Sequence, residues 1–404
     1  MAHIITQQDL DILNQSTQEV FLYLEILNQD YKILDEIQGE VISANFSIDA
    51  NSDVRRTCSF QIYVTDSSFL LSEDSKIWLN RLFRAYIGYR HIRTGEIVKY
   101  NQGIYVPNTY SYSYSYSDNT LSLDGADLMV RLTSDYGGQL TDAEIITQEE
   151  GANIRTAMID TLDHFGKIKK YLIGDIGAEI TPTEDTPDPR LLPYEIKVSY
   201  GSAILELLTE LRDVWVGWEI FFDVDGTFIC QMIPNCAEDP IYISETVWDK
   251  IVISEQTTVN QSDIKNHIVI YGETISTGEN AGNQIKGEAK EENPESPFAI
   301  SKIGDLISVK SDDVYSKIYS DDYANQRAEY ELYLAAKIND SISLECLLIP
   351  WLEVNQKVSY RSQQTNEVHE YIVKSISFEV GKGTMSVEMM RFYPEFPDIV
   401  TYSK

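Results

Sequence analysis

Between Tyr110 and Ser117 tyrosine and serine alternate without a break, Tyr110-Ser-Tyr112-Ser-Tyr114-Ser-Tyr116-Ser117. A period of two is the period of a pleated strand, so one face carries four rings and the other only hydroxymethyl groups. After an Asp118-Asn119 turn, 120–124 return as the antiparallel partner. Tyr110, Tyr112, Tyr114 and Tyr116 form a candidate protein interface, because each ring supplies contact area at low entropic cost and one hydroxyl. The same ring face would equally serve to cover a helix of its own subunit.

Strand signals surround this segment. Apolar and β-branched residues run through 20–27, 40–49 and 55–65, and Arg93-Thr94-Gly95-Glu96 has the composition of a hairpin connection between 86–92 and 97–106. Together they propose an antiparallel barrel or sandwich, preceded by a short helix that Thr6 caps and Leu10 and Leu13 anchor. Strands are expected again at 250–254 and 267–271. The chain closes with 341–349, 357–361, 369–380 and 384–392, where Gly381-Lys382-Gly383 is the last hairpin turn. A second β domain ends the chain.

Between these regions the period lengthens. Thr147 and Glu150 have capping-box spacing, and Ile154, Met158, Leu162 and Phe165 recur at helical intervals, predicting a helix over about 150–165. Pro182, Pro187, Pro189 and Pro193 among acidic residues predict an irregular, exposed connection. A second helix over 202–215 turns Ile204, Leu207, Leu208 and Leu211 inward and leads into a hairpin over 218–233 around Asp225-Gly226. The polar stretch 276–297, with Gly278, Gly282 and Gly287, is expected to be a mobile loop. A third helix is expected over 321–337, with Ala324, Ala328, Leu332 and Ala335 on one face and an Arg327–Glu331 pair one turn apart. The fold class is therefore β-rich α+β and multidomain. Residues 1–140 hold the N-terminal helix and first β domain, 141–240 an α/β insertion, and 241–404 the second β domain with loop 276–297 and helix 321–337.

Length agrees, since 404 residues exceed what one core usually organises. A content of 43% hydrophobic and 24% charged residues is that of a folded protein. The charge is unusual: 64 acidic against 32 basic residues leave −32. Specific nucleic-acid binding is disfavoured, because phosphate contacts need clustered Lys and Arg. The plain reading is a solvated acidic surface, although a channel that lets DNA pass without sticking needs the same composition. The N-terminus lacks a basic region followed by an apolar run, and no stretch has the length of a membrane span, so folding in a cytoplasm is expected, as for a virion component assembled there.

No chemistry stands out. Cys58, Cys230, Cys236 and Cys346 lack ligand spacing with His3, His91, His164, His267 or His369, and are expected to be buried thiols. Asp223-Val-Asp225-Gly226 has the first residues of a calcium loop, but Phe221 and Met232 stand where ligands are required, so a hairpin turn is expected. No GxSxG, HExxH or P-loop occurs. Neither catalytic residue, cofactor nor metal is expected. Trp78, Trp215, Trp218, Trp248 and Trp351 keep open two competing readings, a glycan- or receptor-binding module and a carbohydrate-active enzyme with paired carboxylates.

Three stretches resemble the baseplate hub proteins of phage and phage-like contractile tails, and the hub region of tail-associated proteins in long non-contractile tails. They are Gly39-Glu-Val-Ile-Ser-Ala-Asn-Phe46; the helix–hairpin Ser202-Ala-Ile-Leu-Glu-Leu-Leu208 through Gly217-Trp-Glu-Ile-Phe-Phe-Asp-Val-Asp-Gly226; and Asn325-Gln-Arg-Ala328 followed by Pro350-Trp-Leu-Glu-Val-Asn-Gln-Lys-Val358. Asn355 stands where the family favours glycine, a replacement that left-handed backbone tolerates. The resemblance implies two related, tail-tube-like antiparallel β-barrel domains joined by smaller α/β insertions, and three subunits in a pseudo-sixfold ring. That homotrimer would join the tail tube or distal tail proteins above to a spike or fibre below, within a virion tail or tail-like particle. DNA would pass through its acidic channel without specific binding. With the chain ending soon after its last β domain, membrane puncture or wall cleavage is expected of another polypeptide, and no direct membrane insertion of this one.

Overall fold

The computed structural model describes residues 3–391 apart from 39, 117, 142–145, 179–187, 216, 234–239, 276–281, 312, 319 and 337–338. Helix α1 (Gln7–Leu13) begins at a reciprocal cap: Asp9 N donates to Thr6 Oγ1 at 3.3 Å and Thr6 N donates to Asp9 Oδ2 at 2.7 Å. Seven strands follow: β1 (Val20–Leu27), β2 (Ile33–Gln38), β3 (Val41–Asp49), β4 (Arg56–Tyr63), β5 (Leu82–Arg90), β6 (Ile97–Ser115) and β7 (Asp118–Asp127). The middle of the chain forms β8 (Ile146–Gln148), α2 (Ile154–Thr161), β9 (Tyr171–Ile173), β10 (Ile196–Val198), α3 (Ile204–Arg212), β11 (Trp218–Phe222) and β12 (Phe228–Met232). Then come α4 (Glu245–Ile251), β13 (Val252–Asn260), β14 (His267–Thr274), β15 (Gln284–Lys290), α5 (Ile300–Ile303), β16 (Ile307–Lys310) and α6 (Asp321–Ala335). The last strands are β17 (Asn339–Leu347), β18 (Lys357–Arg361), β19 (Val368–Glu379) and β20 (Thr384–Arg391).

Twelve strands share one antiparallel sheet in the order β13-β17-β20-β19-β3-β4-β7-β6-β5-β1-β2, with β18 on the remaining part of β19. The ladder between β3 and β19, from Asn45–Glu379 to Asp49–Ser375, joins the first and last strand sets of the chain. Phe46 packs across that seam on Phe378 and, on its own side, on Phe60 of β4, at ring separations of 5.2 and 5.7 Å. The molecule is thus β-rich with few helices, as expected. The path is open, with β2 and β13 at its ends, and among the described residues no ladder closes either strand set into a barrel.

Two cores form. The first lies under the large sheet and includes Trp248 and Trp351. The second gathers α2, α3 and the β11–β12 hairpin together with β14, β15 and α6, and takes Leu27, Ile104 and Ala126 from the large sheet. Three small sheets surround it: β8 with β10, β9-β12-β11, and β15-β14-β16.

Several expectations are corrected. Thr147 does not cap a helix: it pairs with Lys197 in the β8–β10 ladder, because buried Ile146 holds this segment as a strand. The cap is Asn153, whose Oδ1 accepts from Thr156 N at 3.0 Å, so the helix expected from 150 starts at Ile154. The helix expected over 202–215 is the shorter α3. Part of 250–254 belongs to α4, where Trp248 and Ile251, one turn apart, are both buried. Within 276–297, residues 276–281 lie outside the described residues, but Gln284–Lys290 is strand β15, with Ile285, Gly287 and Ala289 turned inward. Pro182 and Pro187 lie outside the described residues, whereas Pro189 is buried and its carbonyl accepts from Trp215 Nε1 at 2.6 Å. That part of the connection is core.

Candidate assembly surface

β6 is 19 residues long, and its far half pairs with β7 alone. β5 leaves it at Tyr105, and on the other side β4 follows β7 only to Thr120, with one more bond from Val64 N to Asn119 O at 2.8 Å. Tyr110 lies opposite Leu123 and Tyr112 opposite Leu121, both buried leucines, so the ring face is the core side of the sheet and the serine face its open side. Tyr110 packs on the core and donates to Trp78 O at 3.4 Å, and Tyr112 donates to Phe69 O at 2.9 Å. Tyr114 is 81% exposed and Tyr116 fully so. Two of the four predicted rings therefore hold the loop 64–81, and two face solvent.

The open side of the large sheet divides in two: on β1, β5 and β6 it carries Arg84, Arg90 and Lys99 beside Phe21 and Tyr23, whereas on β4, β3, β19, β20, β17 and β13 it carries hydroxyls and carboxylates. One row of laterally paired residues runs Thr57–Ser47–Ser377–Ser386–Glu345–Ser254 across β4, β3, β19, β20, β17 and β13. Neighbouring rows add Asp49, Asp124, Glu379 and Glu388 among further serines. The alternate residues, such as Phe46, Cys58, Phe378 and Met385, face the core. No lysine or arginine of these strands shares the open rows among the described residues; Lys374, at a bulge in β19, donates instead to Asn355 Oδ1 at 3.3 Å. A shallow groove of about 650 Å³ crosses the seam on this face, with Lys382 of the β19–β20 turn at its border. Each strand's alternation is visible in the sequence, but the joining of six strands into one hydroxyl-and-carboxylate face is not.

At the end of this face, buried charges tie the two cores together. Arg55 Nη2 donates to Glu219 Oε2 at 2.5 Å, and its guanidinium lies 3.9 Å from the Phe221 ring centroid. Glu219 also accepts from Gln231 Nε2 and from Asn355 Nδ2, both at 2.9 Å. Arg56 pairs with Glu353, and its backbone N–H donates to Asp127 Oδ2 at 2.9 Å. Burial pushes the Asp127 carboxyl up to about 6, against the pull of the Met129 and Arg56 amides and the Arg56 charge. Removing one partner of such a buried pair strands the other, so these residues fix how the β11–β12 hairpin meets the sheet.

Groups that could do other chemistry are occupied structurally. Asp223 Oδ1 accepts from Asp225 N at 3.0 Å and Thr227 N at 2.8 Å, which makes the calcium-like segment a hairpin turn, as expected. Buried His267 sits between Asp305 at 2.8 Å and Glu288 at 2.9 Å. Cys58, Cys230 and Cys346 are buried thiols, and burial pushes Cys230 and Cys346 up to about 12; Cys236 lies outside the described residues. Trp215, Trp248 and Trp351 are buried, and Trp78 and Trp218 half-buried. Asp124, Glu345 and Glu379 are the carboxylates that line the groove, on β7, β17 and β19. No helix among the described residues is long and apolar enough to cross a membrane.

A family model described as a domain of unknown function (DUF5048) matches residues 295–396. No curated protein matches the chain. Among solved structures, the tail protein from Neisseria meningitidis MC58 aligns with a TM-score of 0.59 over 92% of this chain and 96% of that one, at 12% identity. The 43 kDa tail protein of prophage MuSo2 from Shewanella oneidensis gives 0.59 over 93% and 99%, at 13% identity. A chain of the half-lidded Francisella PdpA–VgrG complex gives 0.53 at 9% identity, covering 95% of this chain but only 60% of that one. At these identities the likeness is one of fold, and it runs along nearly the whole chain: this protein has the fold of phage tail proteins.

Proposed function

We propose that this chain is a non-catalytic structural subunit of a phage tail or tail-like injection particle, and that it forms the baseplate hub. Three copies would close a pseudo-sixfold ring that joins the tail tube or distal tail proteins to a central spike or fibre and surrounds the ejection channel. The observation that carries the reading is the fold: one chain, alike to tail proteins over more than nine-tenths of its length, holds two antiparallel strand sets side by side. Three such chains present six sets, which is what a sixfold partner requires. In this reading 1–140 and 241–404 are the two tube-like β-barrel domains and 141–240 the insertion, with 264–336 packed against that insertion.

The open sheet face supports the channel. Over β4, β3, β19, β20, β17 and β13, hydroxyls and carboxylates without cations would repel a passing polyanion and offer it no phosphate ligand, so that DNA passes without specific binding. The edge strands β2 and β13 supply a route to ring closure by extending into neighbouring sheets. The exposed rings of Tyr114 and Tyr116, continued inward by Tyr110 and Tyr112, are the proposed contact to a neighbouring protein. The site of action is the virion tail or tail-like particle, assembled in the cytoplasm of the bacterial host and without insertion into a membrane by this chain.

Location is tested by electron microscopy of particles from producing cells, with gold-labelled antibody against the purified chain. Label at the tail tip is expected, and particles that carry the chain nowhere would overturn the proposal.

A further inference from the structure

We infer that the exposed hairpin rings and the loop 64–81 form one docking surface, and that its occupant is a different protein with a basic, arginine-bearing rim rather than a second copy of this chain. The bonds from Tyr112 to Phe69 O and from Tyr110 to Trp78 O fix this loop against the ring face. The neighbours of those acceptors are Leu70, Leu71 and Leu79, all exposed, with Leu79 at 70%. With Tyr112, Tyr114 and Tyr116 they put six exposed apolar and aromatic side chains on a hairpin and loop that these bonds hold together, as interaction sites do.

Charge selects the occupant. Residues 64–81 and 110–120 contribute Asp66, Glu73, Asp74 and Asp118 against Lys76 and Arg81, and Lys76 is engaged by Asp35 at 3.2 Å. All four carboxylates are exposed, on the same loop and hairpin as the apolar residues. An isologous contact with a second copy would set these same carboxylates against each other. Guanidinium groups satisfy both features at once, by pairing with these carboxylates and by stacking on the open faces of Tyr114 and Tyr116. The inference rests on the assembly role above only in supposing a protein partner, and its test uses the free chain, so it can fail while the ring stands.

The test is to pan a random dodecapeptide display library against the immobilised full chain and titrate the enriched peptides calorimetrically. Peptides combining Arg with Trp, Tyr or Leu are expected, with affinity that falls as salt rises. The Leu79→Ser/Tyr114→Ser variant should weaken them about tenfold or more. Glu73→Lys/Asp74→Lys, which leaves the apolar surface whole, should weaken them as well. Enrichment no better than on bare support, binding by either variant as tight as by the wild-type chain, or enrichment of acidic peptides overturns the inference. So does sedimentation showing that the wild-type chain self-associates and the Leu79→Ser/Tyr114→Ser variant does not, since the occupant is then a second copy.

Discussion

Asp9 shows how single residues carry long-range order here. Its carboxylate accepts from the Thr6 amide and hydroxyl, from Tyr100 Oη at 2.6 Å and from His3 Nε2 at 2.9 Å, which fastens α1 to β6. Burial alone would raise its pKa, but the Tyr100, Thr6 and His3 hydrogen bonds outweigh it and leave the group below the ordinary carboxylate value of 3.8. A lowered folded-state pKa means stability that is present above the unfolded value and lost as pH falls through the folded one. Asp9→Asn should therefore cost about 1 kcal/mol in urea melts at neutral pH. The gap to wild type should close in acid, below the folded pKa; a gap that persists there would contradict the role given to the charge. The Thr6 cap was legible from residue type and position alone. Asn355 was legible in the same way: its φ of 61° is the left-handed turn expected where glycine is usual. Its bond to Glu219 was not, because that partner comes from a distant hairpin whose placement depends on tertiary packing.

Among the elements, those with a strong, uninterrupted period were read correctly and those set by neighbours were not. The Tyr–Ser strand, β1, the β11–β12 hairpin and α6 follow their own patterning. β15 does not: Gly287 had the look of a loop glycine, but it is in a strand because α6 crosses directly over it. A Cβ built there would lie 2.1 Å from the Ala324 carbonyl carbon, so only glycine lets helix and strand meet. Gly287→Ala should push α6 off β15 and cost on the order of 3 kcal/mol, measured by urea unfolding. A loss within a few tenths of a kcal/mol would mean that the helix does not approach the strand as described. The short α4 carries no readable signal for a related reason, since two turns offer too little periodicity and its burial comes from packing on β18.

For the whole molecule, what governs function is which strands become neighbours. β3 and β19 come from opposite ends of the chain, and each alternates polar and apolar residues in a way that many partners would satisfy. The seam, and with it the continuous serine and carboxylate face, therefore follows from the packing of Phe46, Phe60 and Phe378 rather than from any local signal. Net charge was plain from composition; the lining up of Asp49, Glu345, Glu379 and Glu388 on one open face was not. The central claim is that three copies of this two-set chain make the ring, and the measurement closest to it is the mass of the purified chain by light scattering at low and high salt. Screening of the acidic surfaces favours association, so a trimer mass that is reached or strengthened as salt rises is the predicted result. A monomer mass at every salt and protein concentration would contradict it.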